Sequence, residues 1–195
     1  MADRIKEFFE KEIGRDWIFK EVVSLFDKAP LKIGEIGCAR SPAGRAGDGW
    51  STFFWANYIE KFGGELHTCD IDEKAIEFTK NSIPENYNVT YYCMGGEEFI
   101  KENGPFDFVY LDGSNDPKEA QAQFNLLKNK TDVILVDDWW IKGFDLIGEY
   151  ERILYQEGEG RRERKRKGDE QSGWPALGLI ATPEKMNKLY NLLGE

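Results

Sequence analysis

Cysteine, histidine and long apolar runs are scarce in this sequence, and each scarcity removes a class of explanation. Three cysteines, Cys38, Cys69 and Cys93, cannot pair completely and none lies in a CxxC or other close spacing, so no disulfide framework is expected. Each falls near the end of a predicted strand and reads as a buried free thiol. The sole histidine, His67, lies inside a predicted strand and reads as packed rather than catalytic. No stretch approaches the roughly 20 apolar residues that span a bilayer, and the opening MADRIKEFFEKEIG is charged throughout with no signal-peptide core. A soluble, cytoplasmic protein with no membrane partner is the expectation. A GxGxxG fingerprint is absent as well, which argues against an NAD-dependent oxidoreductase.

What remains is the composition of a folded enzyme-sized domain. The 195 residues are 41% hydrophobic and 14% aromatic, with six Trp, enough to bury a core and too few for two comfortable domains. The formal charge of -10 disfavours general affinity for a polyanion, so nucleic acid is not the expected partner. One local exception is Arg161 to Lys167 (RRERKRK), six basic side chains and one Glu flanked by Gly158, Gly160 and Gly168. It reads as a mobile basic loop within 158–173, either a solvated excursion or a flap over an anionic substrate.

Periodicity divides the chain. Apolar residues from Ile5 to Phe26 recur at three- and four-residue intervals, predicting one or two helices over 1–29. After Pro30, short apolar strands alternate with helical stretches, as in βαβ units around a parallel sheet. Strands are predicted at 32–37, 65–70, 88–93, 106–111 and 132–136, and a late one over Trp174–Ala181. Helices are predicted at Ser51–Lys61, Asp72–Asn81, Glu97–Asn103, Pro117–Asn129, Phe144–Gln156 and, behind Thr182 and Pro183, at the C-terminus. The expected fold is α/β, a doubly wound, mostly parallel sheet with an N-terminal helical extension. A single domain over 1–195 follows, with a core at 30–140 and a C-terminal part at 141–195.

In such sheets ligands bind beyond the carboxyl ends of the strands. The first strand ends in Glu35-Ile36-Gly37, a Gly-rich loop follows, and Trp50-Ser51-Thr52 opens a helix. The second ends in Cys69-Asp70-Ile71-Asp72, where Asp70 is placed to accept from both hydroxyls of a ribose while Asp72 caps the next helix. After the third, Met94-Gly95-Gly96-Glu97 leaves room for a flat base, with Glu97 an acceptor for an exocyclic amine.

The series EIG…GWST, HTCDID, MGGEEFI, FDFVYLDGS and VILVDDWW resembles the class I, Rossmann-like S-adenosylmethionine-dependent methyltransferases over residues 32 to about 140. Within that class the likeness is to the divalent-metal-dependent O-methyltransferases, of the catechol and antibiotic-sugar types. The resemblance implies that Glu35, Gly37 and Ser51 serve the methionine portion of the cofactor, Asp70 the ribose, and Gly96 and Glu97 the adenine. The chain departs from the family between Gly37 and Gly49, where its Arg-bearing loop is longer.

The same resemblance implies a metal site. Asp112 follows the fourth strand and Asp137 and Asp138 follow the fifth, so three acids would meet at one edge of the cleft, and a divalent cation, Mg2+ first among the hard ions, would relieve their repulsion. A hydroxyl bound to that cation would lose its proton more readily and attack the sulfonium methyl. Asp112 and Lys142 are the candidate catalytic residues, with Asp116 a second base candidate, and Trp139, Trp140 and Trp174 a candidate aromatic wall. The implied reaction is O-methylation of a small hydroxylated acceptor, a sugar or phenol, by a monomer or a homodimer. Methylation of a nucleic acid or protein without metal, and a non-catalytic nucleotide-binding module, are the alternatives.

Overall fold

The computed structural model describes residues 16–27, 30–40, 50–143, 150–158, 161–166 and 177–194. Helix α1 (Asp16–Ser24) precedes five repeats of strand and helix: β1 (Leu31–Ile36), α2 (Trp50–Phe62), β2 (Gly64–Asp70), α3 (Glu73–Ser82), β3 (Val89–Cys93), α4 (Gly96–Asn103), β4 (Phe108–Leu111), α5 (Pro117–Leu127), β5 (Val133–Asp137) and α6 (Trp139–Lys142). The chain then changes character, running through β6 (Glu151–Gly158), β7 (Arg161–Arg166) and β8 (Leu177–Ala181) into α7 (Pro183–Leu193).

The strands form one eight-stranded sheet in the order β3-β2-β1-β4-β5-β8-β6-β7. Strands β1 to β5 are mutually parallel, while β8 runs antiparallel to β5 and β6 antiparallel to β8. Both faces of the central strands are covered. Ile33, Phe108, Tyr110, Val133 and Leu135 join α1 and α2 in one core, whereas Ile36, Val109, Leu111, Ile134 and Val136 join α4 and α5 in the other. Burial on both sides explains why VILV over 133–136 is a continuous apolar run rather than an alternating one. Tilted aromatic contacts bind the first core, with the Trp55 ring 4.9 Å from both Phe19 and Phe108.

Caps and turns follow the local sequence. Asp72 starts α3 by accepting from the Lys74 N–H at 2.9 Å, and Asp116 does the same for α5 with Lys118. Asp116, a candidate base, is therefore a helix cap. His67 is buried with its Nδ1 2.9 Å from the Tyr92 hydroxyl, as expected of a packed histidine. Cys38 and Cys69 are buried free thiols, but Cys93 is exposed because β3 lies at the sheet edge. No helix among the described residues is long and apolar enough to cross a membrane.

Two expectations are corrected in the C-terminal part. The predicted helix Phe144–Gln156 is not formed over 151–156, which belongs to β6; residues 144–149 lie outside the described set. Ile153, Leu154 and Tyr155 pair with Leu179, Gly178 and Leu177. Branched and aromatic residues meeting an open strand edge take the ladder, whatever their helical spacing. The basic segment is likewise no loop: Arg161–Arg166 is the edge strand β7, in register with β6 from Gly158↔Arg161 to Ile153↔Arg166. Arg and Lys are frequent on edge strands, where charge disfavours pairing with other chains. Lys167 and Trp174 lie outside the described residues.

Candidate functional site

Strand β1 feeds β2 and β3 on one side, while β4 and β5 lie on the other, so the winding across the sheet reverses between the parallel strands β1 and β4. Connections leaving in opposite directions open a crevice at the carboxyl ends of these two strands. A cleft of about 320 Å³ occupies that place, within the size range of small-molecule sites. Its lining comes from the ends of β1 to β4: Gly37 and Arg40, Asp70 and Ile71, Met94 and Gly96, Gly113 and Ser114.

Gly37 makes the crevice passable. Its φ is +92°, and a Cβ there would lie 2.6 Å from the Asp112 carbonyl oxygen, so the β1 and β4 ends approach as only glycine permits. Asp70, 5% exposed, sits at the end of β2. Its Oδ1 accepts from the Asp72 N–H at 2.9 Å and its Oδ2 from the Cys38 N–H at 3.3 Å, which fixes the carboxylate at the cleft wall. The half-exposed Arg40 guanidinium lies 3.4 Å from Oδ2. Ile71 is 80% exposed beside it, an apolar side chain on the rim of a polar group.

Of the six residues expected to serve a cofactor, Gly37, Asp70 and Gly96 line this cleft. Glu35 and Ser51 lie beneath it, bonded to one another: Ser51 donates to Glu35 Oε1 at 2.7 Å and Thr68 to Oε2 at 2.8 Å. Complete burial pushes the Glu35 carboxyl up to about 7, against the pull of those hydroxyls. Glu97 stands outside the lining and pairs with Lys101 at 3.4 Å along α4. Arg40, Ile71, Ser114 and Glu119 were not singled out by sequence; for Ile71 the signal was an apolar residue between two acids directly after a strand.

A second cluster adjoins the cleft at the ends of β4 and β5. Asp112 immediately precedes Gly113 and Ser114 of the lining. The Lys142 ammonium, 2% exposed, lies 3.6 Å from Asp112 Oδ1 and has no hydrogen-bond partner among the described residues. Burial, and then the Asp137 carboxylate, raise the Asp112 carboxyl well above the usual range, with Lys142 opposing them. Asp137 receives the Tyr110 hydroxyl on Oδ2 at 3.0 Å and the Asp138 N–H on Oδ1 at 2.8 Å. Asp138 holds a left-handed backbone, φ 48° and ψ 44°, and begins the four-residue α6.

Packing of Trp139 aims this turn. Its ring lies against Gly178, where a Cβ would come within 2.4 Å, and the Arg152 guanidinium covers it with its carbon 4.9 Å from a ring centroid. Trp139 is therefore 5% exposed core rather than an aromatic wall, and only Trp140 of the described pair is open to solvent. Gly178→Ala is expected to cost about 1–3 kcal/mol by overpacking this contact, measured as a lower urea midpoint at unchanged m-value.

The expected cation fits these residues poorly. Among the described residues no three His, Cys, Asp or Glu side chains form a group able to hold a metal ion. Asp112 faces a buried ammonium, and a dication placed there would meet that positive charge at close range.

No family model matches the sequence, and no curated protein matches it. Solved structures do. A Clostridium thermocellum protein assigned as an rRNA-methylase shares 18% identity at TM-score 0.55, covering 87% of this chain and 98% of its own. The N-methyltransferase NodS from Bradyrhizobium japonicum WM9 shares 13% at TM-score 0.51, over 90% and 99%. MycE methyltransferase from the mycinamycin biosynthetic pathway, solved with Mg and SAH, shares 17% at TM-score 0.50 over 71% of this chain; the chain spans 39% of MycE's length. The chain thus has the Rossmann-like fold of the S-adenosylmethionine-dependent methyltransferases, as its sequence motifs implied.

Proposed function

We propose that this chain binds S-adenosylmethionine and transfers its methyl group to a small hydroxylated acceptor. The observation that carries the reading is Asp70: a buried carboxylate held by two backbone N–H groups at the crevice between β1 and β4. Such a group suits a ribose diol, which offers two donors to one carboxylate. Gly37 and Gly96 supply close backbone approach, and Ile71 and Met94 apolar surface for a base. When bound, the sulfonium supplies an electrophilic methyl carbon.

The remaining chemistry belongs to Asp112. Its raised affinity for protons equips it to take the proton of an acceptor hydroxyl as the oxygen attacks. Lys142 offsets the charge of the acid pair, and the shared cleft supplies alignment of oxygen and methyl carbon. The likeness to MycE, solved with Mg, supports a cation as part of this chemistry, while the arrangement of Asp112, Asp137 and Asp138 does not, and no step above depends on one.

The edge strand β7, with five Arg or Lys among six residues, favours one second reading, a macromolecular polyanion as acceptor. Calorimetric titration with S-adenosylhomocysteine tests what both share: micromolar binding is expected, and an absence of heat at millimolar ligand would remove the methyltransferase reading. Methylation of RNA that falls steeply with added salt, with none of small hydroxylated compounds, would select the second.

A further inference from the structure

We infer that the Lys142 ammonium occupies the place of the expected dication, serving as a built-in cation for Asp112 and Asp137, so that this cleft works without a metal. The inference deepens the methyl-transfer reading and rests on it for its meaning, though not for its test.

Three observations converge. Two carboxylates, Asp112 and Asp137, close on one another at the ends of adjacent parallel strands, paired through Leu111↔Val136. Like charges so placed are relieved by a counter-charge or by a proton on one of them. The counter-charge present is Lys142, whose buried Nζ stands 3.6 Å from Asp112 Oδ1 and has no hydrogen-bond partner among the described residues. A burial this complete is uncommon for lysine unless it answers an acid.

The lysine is also positioned rather than merely near. From Asp138, whose left-handed backbone turns the chain, Lys142 is one helical turn on, its N–H bonded to the Asp138 carbonyl at 3.0 Å. Trp139, clamped between Gly178 and Arg152, holds that turn against the sheet. Swinging Lys142 out to admit a dication would take a buried side chain away from Asp112 and into solvent. Leaving it in place would set two cations beside one carboxylate.

The remaining oxygens agree with this assignment. Asp137 already accepts from the Tyr110 hydroxyl on one oxygen and the Asp138 N–H on the other, so both of its oxygens are oriented by donors of the protein itself. The nearby Glu35 is turned to Ser51 and Thr68. Lys142 is then a positioning residue: it pairs with Asp112 and offsets the repulsion within the acid pair.

Mn2+ titration followed by electron paramagnetic resonance decides the matter in the full chain, with and without S-adenosylhomocysteine. The wild-type protein is expected to show no saturable Mn2+ site at millimolar ion. Lys142→Met, which keeps length and removes charge, is expected to gain one, tighter by on the order of a hundredfold or more. Lys142→Arg, keeping the charge, is expected to gain none. Saturable Mn2+ binding by the wild type that is lost in Asp112→Asn would overturn the inference, as would a Lys142→Met variant that folds and still binds no ion. Should Lys142→Met not fold, the wild-type titration and its Asp112→Asn control decide alone. S-adenosylhomocysteine binding is scored separately in the same samples, so failure of the cofactor reading is seen independently of the ion result.

Discussion

Asp70→Ala is expected to weaken S-adenosylhomocysteine binding by on the order of a hundredfold while the protein remains folded. A hydrogen bond to a charged group contributes about 1.5–3 kcal/mol, and loss of the carboxylate's share with two ribose hydroxyls comes to about 3 kcal/mol, or two decades in Kd. The carboxylate also accepts from the Cys38 and Asp72 N–H groups, so alanine leaves two donors unmatched at the cleft wall. Asp70→Asn separates these effects: its amide oxygen serves one of the donors but it carries no charge, and an intermediate affinity is expected. Calorimetry on both variants with a thermal melt alongside is the measurement. Wild-type affinity in Asp70→Ala would dismiss the ribose assignment.

Stability is expected to fall as pH rises from 4.5 to about 7, and Glu35 is the cause. Its carboxyl moves from an ordinary 4.5 to about 7 because it is fully buried. Within that window the folded protein holds a proton that the unfolded chain releases, so each step up in pH favours unfolding. The contribution is present below 4.5 and gone above 7. A displacement of this size amounts to about 3 kcal/mol in full, and about 2 kcal/mol between pH 5.5 and 8. Urea unfolding of the wild type and Glu35→Gln at both pH values isolates it, since glutamine carries no proton to lose. The stability advantage of wild type over Glu35→Gln should shrink by about 2 kcal/mol at the higher pH. A constant or growing advantage would show that the Ser51 and Thr68 hydroxyls outweigh burial.

Much of the parallel half could be read before any coordinates. Helix α5 was expected from Pro117 and starts there; β1, β2, β3 and β5 fall within about a residue of expectation. Their signals are local: an N-cap acid, a short apolar run, a Gly or Asp just beyond. Asp72 as cap and Asp70 as cleft wall follow from the same logic, since only the residue directly at the strand's end is left facing the crevice. The C-terminal half was less legible. ERILYQ becomes a strand because β8 offers an edge, and β8 lies beyond the basic segment in sequence. Trp139 left no mark distinguishing it from an exposed aromatic, because its burial depends on Gly178, thirty-nine positions away.

The sequence by itself determined the βαβ order and which acids stand at strand ends, because periodicity and caps act over a few residues, whereas the switch point between β1 and β4 is a property of the sheet order. Only the tertiary structure decided which of those acids meet and what answers their charge. Lys142 was a candidate base in the sequence, and only α6, which turns it back onto Asp112, makes it the partner of that acid. Glu35, next to Gly37 in a cofactor-like motif, proves to be anchored under the cleft by Thr68 of the neighbouring strand. The physical reason is range: backbone propensity is spent within one turn or one strand, whereas burial and ion pairing depend on groups brought together from distant parts of the chain.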